Sequence, residues 1–292
     1  MSLRLRDAAS LAAGALAVAA APGTARALTA AAPNSAAGIL QWSDCAARFA
    51  KAGLPRSLND DGEATEIGVC RKGYAVAFDP QTRTPLWVME RLTSQELAGS
   101  AQRSNRFLWD PATGPQGPKD SDYTGSHYDR GHQAPAADAK YDQLVMDQSF
   151  YFSNMAPQTG LGLNRGVWAK LEDRVRSWVV CDGRGPLDVI TGPIHSQDVV
   201  TMKNQGRVRI PAAFFKIAYD EASGRVTAVV FENRVYNSMD PGAGQPTSIQ
   251  EIERRTGVSF LTALPARRQS VLKTSAPPLW GLQHTGCKTP SD

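Results

Sequence analysis

Several absences narrow the class of this chain before any motif is considered. None of its four cysteines (Cys45, Cys70, Cys181 and Cys287) forms a C-x-x-C pair, which argues against a zinc site. The basic excess is small, 32 Lys and Arg against 28 Asp and Glu, a formal charge of +4. Affinity for a polyanion rises with each phosphate neutralised, so so mild a balance speaks against a protein that coats nucleic acid. It suits a catalyst that must let a polyanion go. After residue 27 no apolar run is long enough to span a membrane. Internal repeats and a clear linker are missing too, so the chain reads as one folded unit rather than an array.

The N-terminus reads as a secretory signal. Arg4 and Arg6 give it a positive start, and the apolar run 11–21 is too short for a comfortable transmembrane helix. Ala25-Arg26-Ala27 is a small-x-small cleavage site. Removing residues 1–27 takes away three arginines and one aspartate and leaves a charge of +2. The mature chain is then expected to be soluble and secreted or periplasmic. In an exported protein an even cysteine count suggests disulfides. Of the three pairings that four cysteines allow, Cys45–Cys70 is favoured because the two are near in sequence, and Cys181–Cys287 because it would tie down the C-terminus. Residues 28–40 read as a flexible lead-in and 41–292 as one α+β domain.

Along the mature chain, residues 45–52 have the pattern of a short helix, and 54–68 carry the breakers Pro55, Asn59, Asp60, Asp61 and Gly62 and read as a loop. Residues 73–79 and 85–92 read as the two strands of a hairpin. A long Gly- and Pro-rich loop covers 97–125, followed by a helical stretch at 141–149 and a strand-like aromatic run, Phe150-Tyr151-Phe152. Residues 188–194, 213–219 and 225–232 read as strands. Residues 248–256 read as a helix, with Ser248 and Glu251 as a capping box and Gly257 as its stop. The tail from Lys273 is expected to be extended, with Cys287 as an anchor.

One stretch concentrates chemistry: Asp129-Arg130-Gly131-His132-Gln133-Ala134-Pro135. Asp and Arg are rarely buried unless paired, so it makes a poor core strand but a good edge of a phosphate site. A histidine can take a proton from water near neutral pH. An arginine can fork onto phosphate oxygens, and a glycine lets the backbone approach closely. Farther on, 164–180 reads as a helix. Val167, Leu171, Val175 and Trp178 form its apolar stripe. Asn164, Trp168, Glu172 and Arg176 form a second ridge at spacing four. Such a ridge either places an amide, a carboxylate and a guanidinium in one cleft, or is a solvated face with an i,i+4 Glu172–Arg176 pair. Arg106, in the long loop, is either held by its apolar neighbours or rests on Trp109.

Taken together these motifs resemble the DNA/RNA non-specific endonucleases. The likeness rests on the stretch 129–135, on Ser153-Asn154-Met155-Ala156-Pro157-Gln158, and on 163–173 with Asn164 and Glu172. Thr191-Gly192-Pro193 and 251–257 also match, and the similarity runs from about Gly73 to Cys287. The resemblance implies an α+β fold in which a ββα-metal (His-Me finger) core sits in a central antiparallel sheet flanked by helices and long loops. It implies His132 as general base and Asn164 as direct ligand of Mg2+, with Mn2+ as a substitute. Glu172 would act on the metal through water, and Arg106 would stabilise the transition state. Asn154 would orient the histidine or the water, and Arg130 and Arg176 would bind phosphate or organise the site. The expected activity is hydrolysis of DNA and RNA to 5′-phosphate and 3′-hydroxyl ends, and the likeness leaves room for a homodimer and an inhibitor protein. His127 and His195 have no assigned role and read as structural. Arg165, Lys170 and Arg174 either help to hold substrate or form a solvated face. Two other functions are weighed against this one: a non-catalytic polyanion-binding protein, and a hydrolase of other phosphodiesters.

Overall fold

The computed structural model describes residues 39–58, 66–202, 207–284 and 286–289. The expected signal segment and nearly all of the lead-in therefore lie outside the described residues. The first strands are β1 (Ile39–Leu40), β2 (Arg56–Ser57), β3 (Ile67–Arg71), β4 (Tyr74–Asp79) and β5 (Thr84–Leu92). β6 (Tyr128–His132) and β7 (Met155–Thr159) follow, then β8 (Leu187–Ile194), β9 (Ala213–Asp220), β10 (Val226–Glu232), β11 (Gln245–Pro246) and β12 (Val258–Ser259). The helices are α1 (Trp42–Arg48), α2 (Asp120–Tyr123), α3 (Gln143–Ser149), α4 (Ala169–Val180), α5 (Ile249–Thr256) and α6 (Ala266–Thr274). Eight strands form one sheet in the order β1-β3-β4-β5-β8-β9-β10-β11. Every neighbouring pair in it is antiparallel.

Both faces of this sheet are covered. Alternate residues of a strand point to opposite sides, so β8 and β9 send Ile190, Phe215 and Ile217 towards Phe49, Ile249, Ile252 and Phe260, on the side of α1 and α5. Val189 and Ala218 go the other way, against Val175, Trp178 and Val179 of α4. Phe214, Val229 and Phe231 continue that second layer under Leu163, Val167, Trp168 and Leu171. Strands buried on both faces read as unbroken apolar runs, and β8 and β9 are buried along their whole length. The expected apolar stripe Val167, Leu171, Val175 and Trp178 is fully inside the core.

The hairpin expected at 73–92 is β4–β5, paired from Tyr74↔Glu90 to Asp79↔Thr84. Other stretches differ from expectation. The loop expected at 54–68 contains β2 and runs into β3. The helix expected from residue 164 is regular only from Ala169. Residues 160–168 instead make a wide, irregular turn in which Gly162 has φ +79° and Gly166 leaves helical geometry. The aromatic run 150–152 is not a strand but the end of α3 followed by a short 3-10 turn at Phe152–Asn154. α5 has half of its capping box: Ser248 accepts from the Glu251 N–H, while the Glu251 carboxylate pairs with Arg254. α6 lies where no helix was expected.

Three fixtures hold the outlying segments. Cys45–Cys70 joins α1 to β3, and Cys181–Cys287 joins the end of α4 to the tail. The tail also packs Trp280 edge-on against Trp178 at 5.0 Å. The Trp178 indole donates to Trp280 O, and the Asp182 carboxylate accepts from the backbone of Gln283 and His284. The third fixture is a buried ion pair, Arg71 to Asp110 at 2.5 Å, with both side chains fully covered. Asp110 also accepts from Ala112 N and Ser153 Oγ, and Arg71 lies over the Tyr151 ring. The loop after Phe107 is thereby fastened to the sheet and to the segment before β7.

Two predictions follow from these burials. Removing one partner of a buried pair strands the other charge, so Asp110→Ala is expected to cost about 3–5 kcal/mol in denaturant unfolding. Asp188 on β8 is fully buried. Burial, with Glu221 adding and Arg91 opposing, pushes its pKa up to about 7. The fold thus favours the protonated acid. Its contribution is intact below pH 3.8 and is lost as pH rises through about 7. Asp188→Asn should therefore stabilise the protein at pH 8, by on the order of 2 kcal/mol, and change little at pH 4. His195 works in the opposite sense. It is half-buried against Thr84 Oγ1 at 3.0 Å, and desolvation, then Arg209, lowers its pKa to about 4. Its contribution is lost as pH falls from 6.5 towards 4.

Candidate active site

β6 and β7 pair antiparallel apart from the large sheet, from Tyr128↔Thr159 to His132↔Met155, and the turn 160–168 leads directly into α4. This is the ββα unit, and it carries Asp129, Arg130, His132, Asn164, Glu172 and Arg176. Gly131 is the buried member of β6. A Cβ there would overlap Gln158 on the neighbouring strand. The glycine is thus required by strand packing.

Asp129 organises the start of the turn 160–168. Its Oδ2 accepts from Asn164 Nδ2 at 2.9 Å and pairs with Arg165 Nε at 2.9 Å. Gly160 makes room for this arrangement, since a Cβ would come within 2.7 Å of both Asp129 oxygens. An ionised carboxylate only accepts hydrogen bonds. It therefore holds the NH2 end of the Asn164 amide and turns Oδ1 the other way. An orienting bond of this kind is how a ligand oxygen is fixed in space.

His132 ends β6 three residues on, roughly 10 Å along the strand from Asp129. Its ring stands edge-on to Phe150 at 4.9 Å and lies 5.7 Å from Phe107. Phe107 in turn lies under the Arg130 guanidinium at 5.2 Å. Arg130 donates to Asp120 at 2.6 Å. Asn154 is fully buried. Its Oδ1 accepts from Ala134 N, and its Nδ2 donates to the carbonyls of Ala134 and Ser149. Its amide thus fixes the backbone just after His132. Arg106 is exposed, and its ion-pair partner among the described residues, Asp147, is 3.9 Å away.

Trp168, Glu172 and Arg176 of the second ridge are buried and Asn164 is half-buried, which excludes the solvated-face alternative. Arg176 bonds Asp138 at 2.8 Å and Asp173 at 2.6 Å. Burial works against its charge, but Asp138 and Glu172 outweigh that and raise its pKa. Glu172 shares this environment with Glu90 on β5. Burial, then Asp138 and Glu172, pushes the Glu90 pKa well above the ordinary range, with Lys216 and Arg176 opposing. Lys216 donates to Thr191 Oγ1 and lies 5.1 Å from the Trp168 ring. Arg165, Lys170 and Arg174 pair with Asp129, Asp173 and Asp240.

Phe107, Phe150 and Asp110 escaped the sequence reading as site-building residues. Phe107 and Phe150 lie far from His132 in the chain, and nothing in their spacing links them to it. For a metal, the donors at hand are the Asn164 amide oxygen and the Glu172 carboxylate. Among the described residues no group of three His, Cys, Asp or Glu converges as a metal cage. One fixed oxygen suits a hard cation that keeps most of its own water.

Comparison with known proteins shows the family. The family model described as DNA/RNA non-specific endonuclease matches residues 57–267. The mitochondrial nuclease of Saccharomyces cerevisiae is 33% identical over 246 residues, covering 77% of this chain and 72% of its own. Endonuclease G, mitochondrial, of Bos taurus is 33% identical over 220 residues, covering 70% and 73%. A solved structure of an EndoG/EndoGI complex, in work on EndoG inhibition, superposes with a TM-score of 0.64 at 29% identity, covering 76% of this chain and 93% of that one. The chain is a nuclease, a hydrolase acting on nucleic acid, and it belongs to the DNA/RNA non-specific endonuclease family.

Proposed function

We propose that this nuclease is exported, depends on Mg2+ and cuts DNA and RNA internally to 5′-phosphate and 3′-hydroxyl ends. One observation carries the reading: Asp129 fixes the Asn164 amide on the same β6–β7–α4 unit that ends β6 in His132. Residues 41–292 would form a single nuclease domain. In the proposed mechanism His132 takes the proton of the attacking water, its ring held between Phe150 and Phe107. Asn154 keeps the histidine in place through the backbone of Gln133 and Ala134. Arg106, exposed and loosely paired, favours the extra charge of the five-coordinate phosphorus. Arg130 and Arg176 organise the site, Arg176 by tying α4 to the segment that carries Asp138.

Asn164 would hold the divalent ion directly and Glu172 from farther away. The ion would supply charge neutralisation at the phosphate and at the departing oxygen. All of these contacts address the sugar-phosphate backbone, which carries no sequence information, and none requires a 2′-hydroxyl. A homodimer and an inhibitor protein belong to the same reading. The EndoG/EndoGI complex supports the search for an inhibitor.

Two tests apply. The purified protein should nick plasmid and digest RNA with Mg2+ or Mn2+ and stop in chelator. His132→Ala should lose roughly 10²- to 10⁴-fold in turnover, the usual share of a general base. Full activity in that variant would remove the assigned base, and binding without scission at any metal concentration would favour a polyanion-binding protein. Export is supported by the two disulfides and by the Arg4–Ala27 pattern, while the relatives above are mitochondrial. Mass spectrometry of protein from outside the cytoplasm should find Leu28 as the N-terminus. Protein retained inside with residues 1–27 still attached would refute export.

A further inference from the structure

We propose that Trp109 is a stacking platform for an unpaired nucleobase of the substrate, next to the scissile phosphate. The proposal rests on the nuclease reading above and names how that site would hold single-stranded substrate. Of the six tryptophans, Trp87, Trp168, Trp178 and Trp280 are buried and Trp42 is half-buried. Trp109 is the exposed one, at 41%.

The exposure is not that of a loose side chain. The Trp109 indole N–H donates to Gly114 O at 3.0 Å, within its own loop. Gly117 lies close beneath, where a Cβ would be 3.1 Å from Trp109 Nε1 and would overlap Thr113 Oγ1. The next residue, Asp110, is the fully buried partner of Arg71. The polar edge of the ring is thus satisfied, its backbone is anchored on the C-terminal side, and its apolar surface faces water.

Its position points to the substrate. Leu108 forms a parallel bridge with Tyr151, through Leu108 N to Phe150 O and Phe152 N to Leu108 O. This bridge holds the chain around Leu108 against 150–152. Phe107 turns to His132 at 5.7 Å. Trp109 follows two residues after Phe107 and three after the exposed Arg106, on the loop that carries both to the site. The same loop carries cations suited to a polyanion, with Arg106 exposed and Arg103 lying 5.1 Å over the Phe150 ring. Every base has a π-face, so stacking holds single strands without reading sequence.

The test is equilibrium binding of the full-length protein to a fluorescent single-stranded oligonucleotide in chelator, by anisotropy, beside an abasic oligonucleotide of equal length. Trp109→Leu should weaken binding of the base-bearing strand roughly 5- to 150-fold, the range reported for loss of one stacked base. Trp109→Phe should recover most of it, and the abasic strand should bind wild type and Trp109→Leu alike. Equal affinity of wild type and Trp109→Leu for the base-bearing strand would overturn the proposal. So would an equal loss on the abasic strand, which would mark a purely structural role. A wild-type protein that binds both strands but never cuts them when Mg2+ is restored would refute the nuclease reading instead, and would leave the stacking comparison standing.

Discussion

The Asp129 carboxylate accepts from the Asn164 amide and pairs with Arg165, and much of the site's order follows from that. Facing an amide it must take the nitrogen end, so the oxygen end of Asn164 is aimed by chemistry and not by chance. Arg165 shares the same Asp129 oxygen and balances its charge. Gly160 is the backbone concession that lets the trio close up. Asp129 itself is placed by the β6–β7 ladder, which Gly131 permits by letting Gln158 come near. A backbone constraint, an acceptor-only group and an amide thus form one chain of cause from strand pairing to a single aimed oxygen.

Around that centre the protein invests in buried charge. Arg71–Asp110 fastens the loop that bears Arg106, Phe107 and Trp109. Arg176–Asp138 fastens α4 to the segment after His132. Neither pair is the cheapest way to fill a core, since apolar side chains of similar volume often serve stability as well. What such pairs give is a definite register: a guanidinium accepts a carboxylate in few geometries. Both pairs join segments distant in sequence whose relative position decides where His132, Arg106 and Asn164 stand.

The sequence disclosed what depends on local period and composition, and withheld what depends on distant approach. The stripe Val167, Leu171, Val175 and Trp178 was legible because a helix buries every third or fourth residue. The β4–β5 hairpin was legible from its apolar runs and the turn between them. β3 was hidden behind a string of breakers, and the irregular turn at 160–168 because its glycines sit inside an apparently continuous helical pattern. The fate of the ridge Asn164–Arg176 was open, since spacing says which residues share a face but not what covers it. The packing of Phe107 on His132 is a contact across 25 positions with no periodic signature. The residue types of the site were readable as a family likeness. Their roles as anchors, such as Asn154 gripping the backbone of Ala134 and not a side chain, were not.

The tail latched onto the end of α4 bears on when this protein can become dangerous to its maker. Trp280, the backbone at 283–284 and Cys287 are synthesised after both the sheet and α4. A ribosome-bound chain lacks the cover over Trp178 that the finished chain has, and a reduced one lacks the Cys181–Cys287 link that ties the tail down. The final packing of the helix bearing Glu172 is thereby tied to completed translation, and its covalent latch to oxidation.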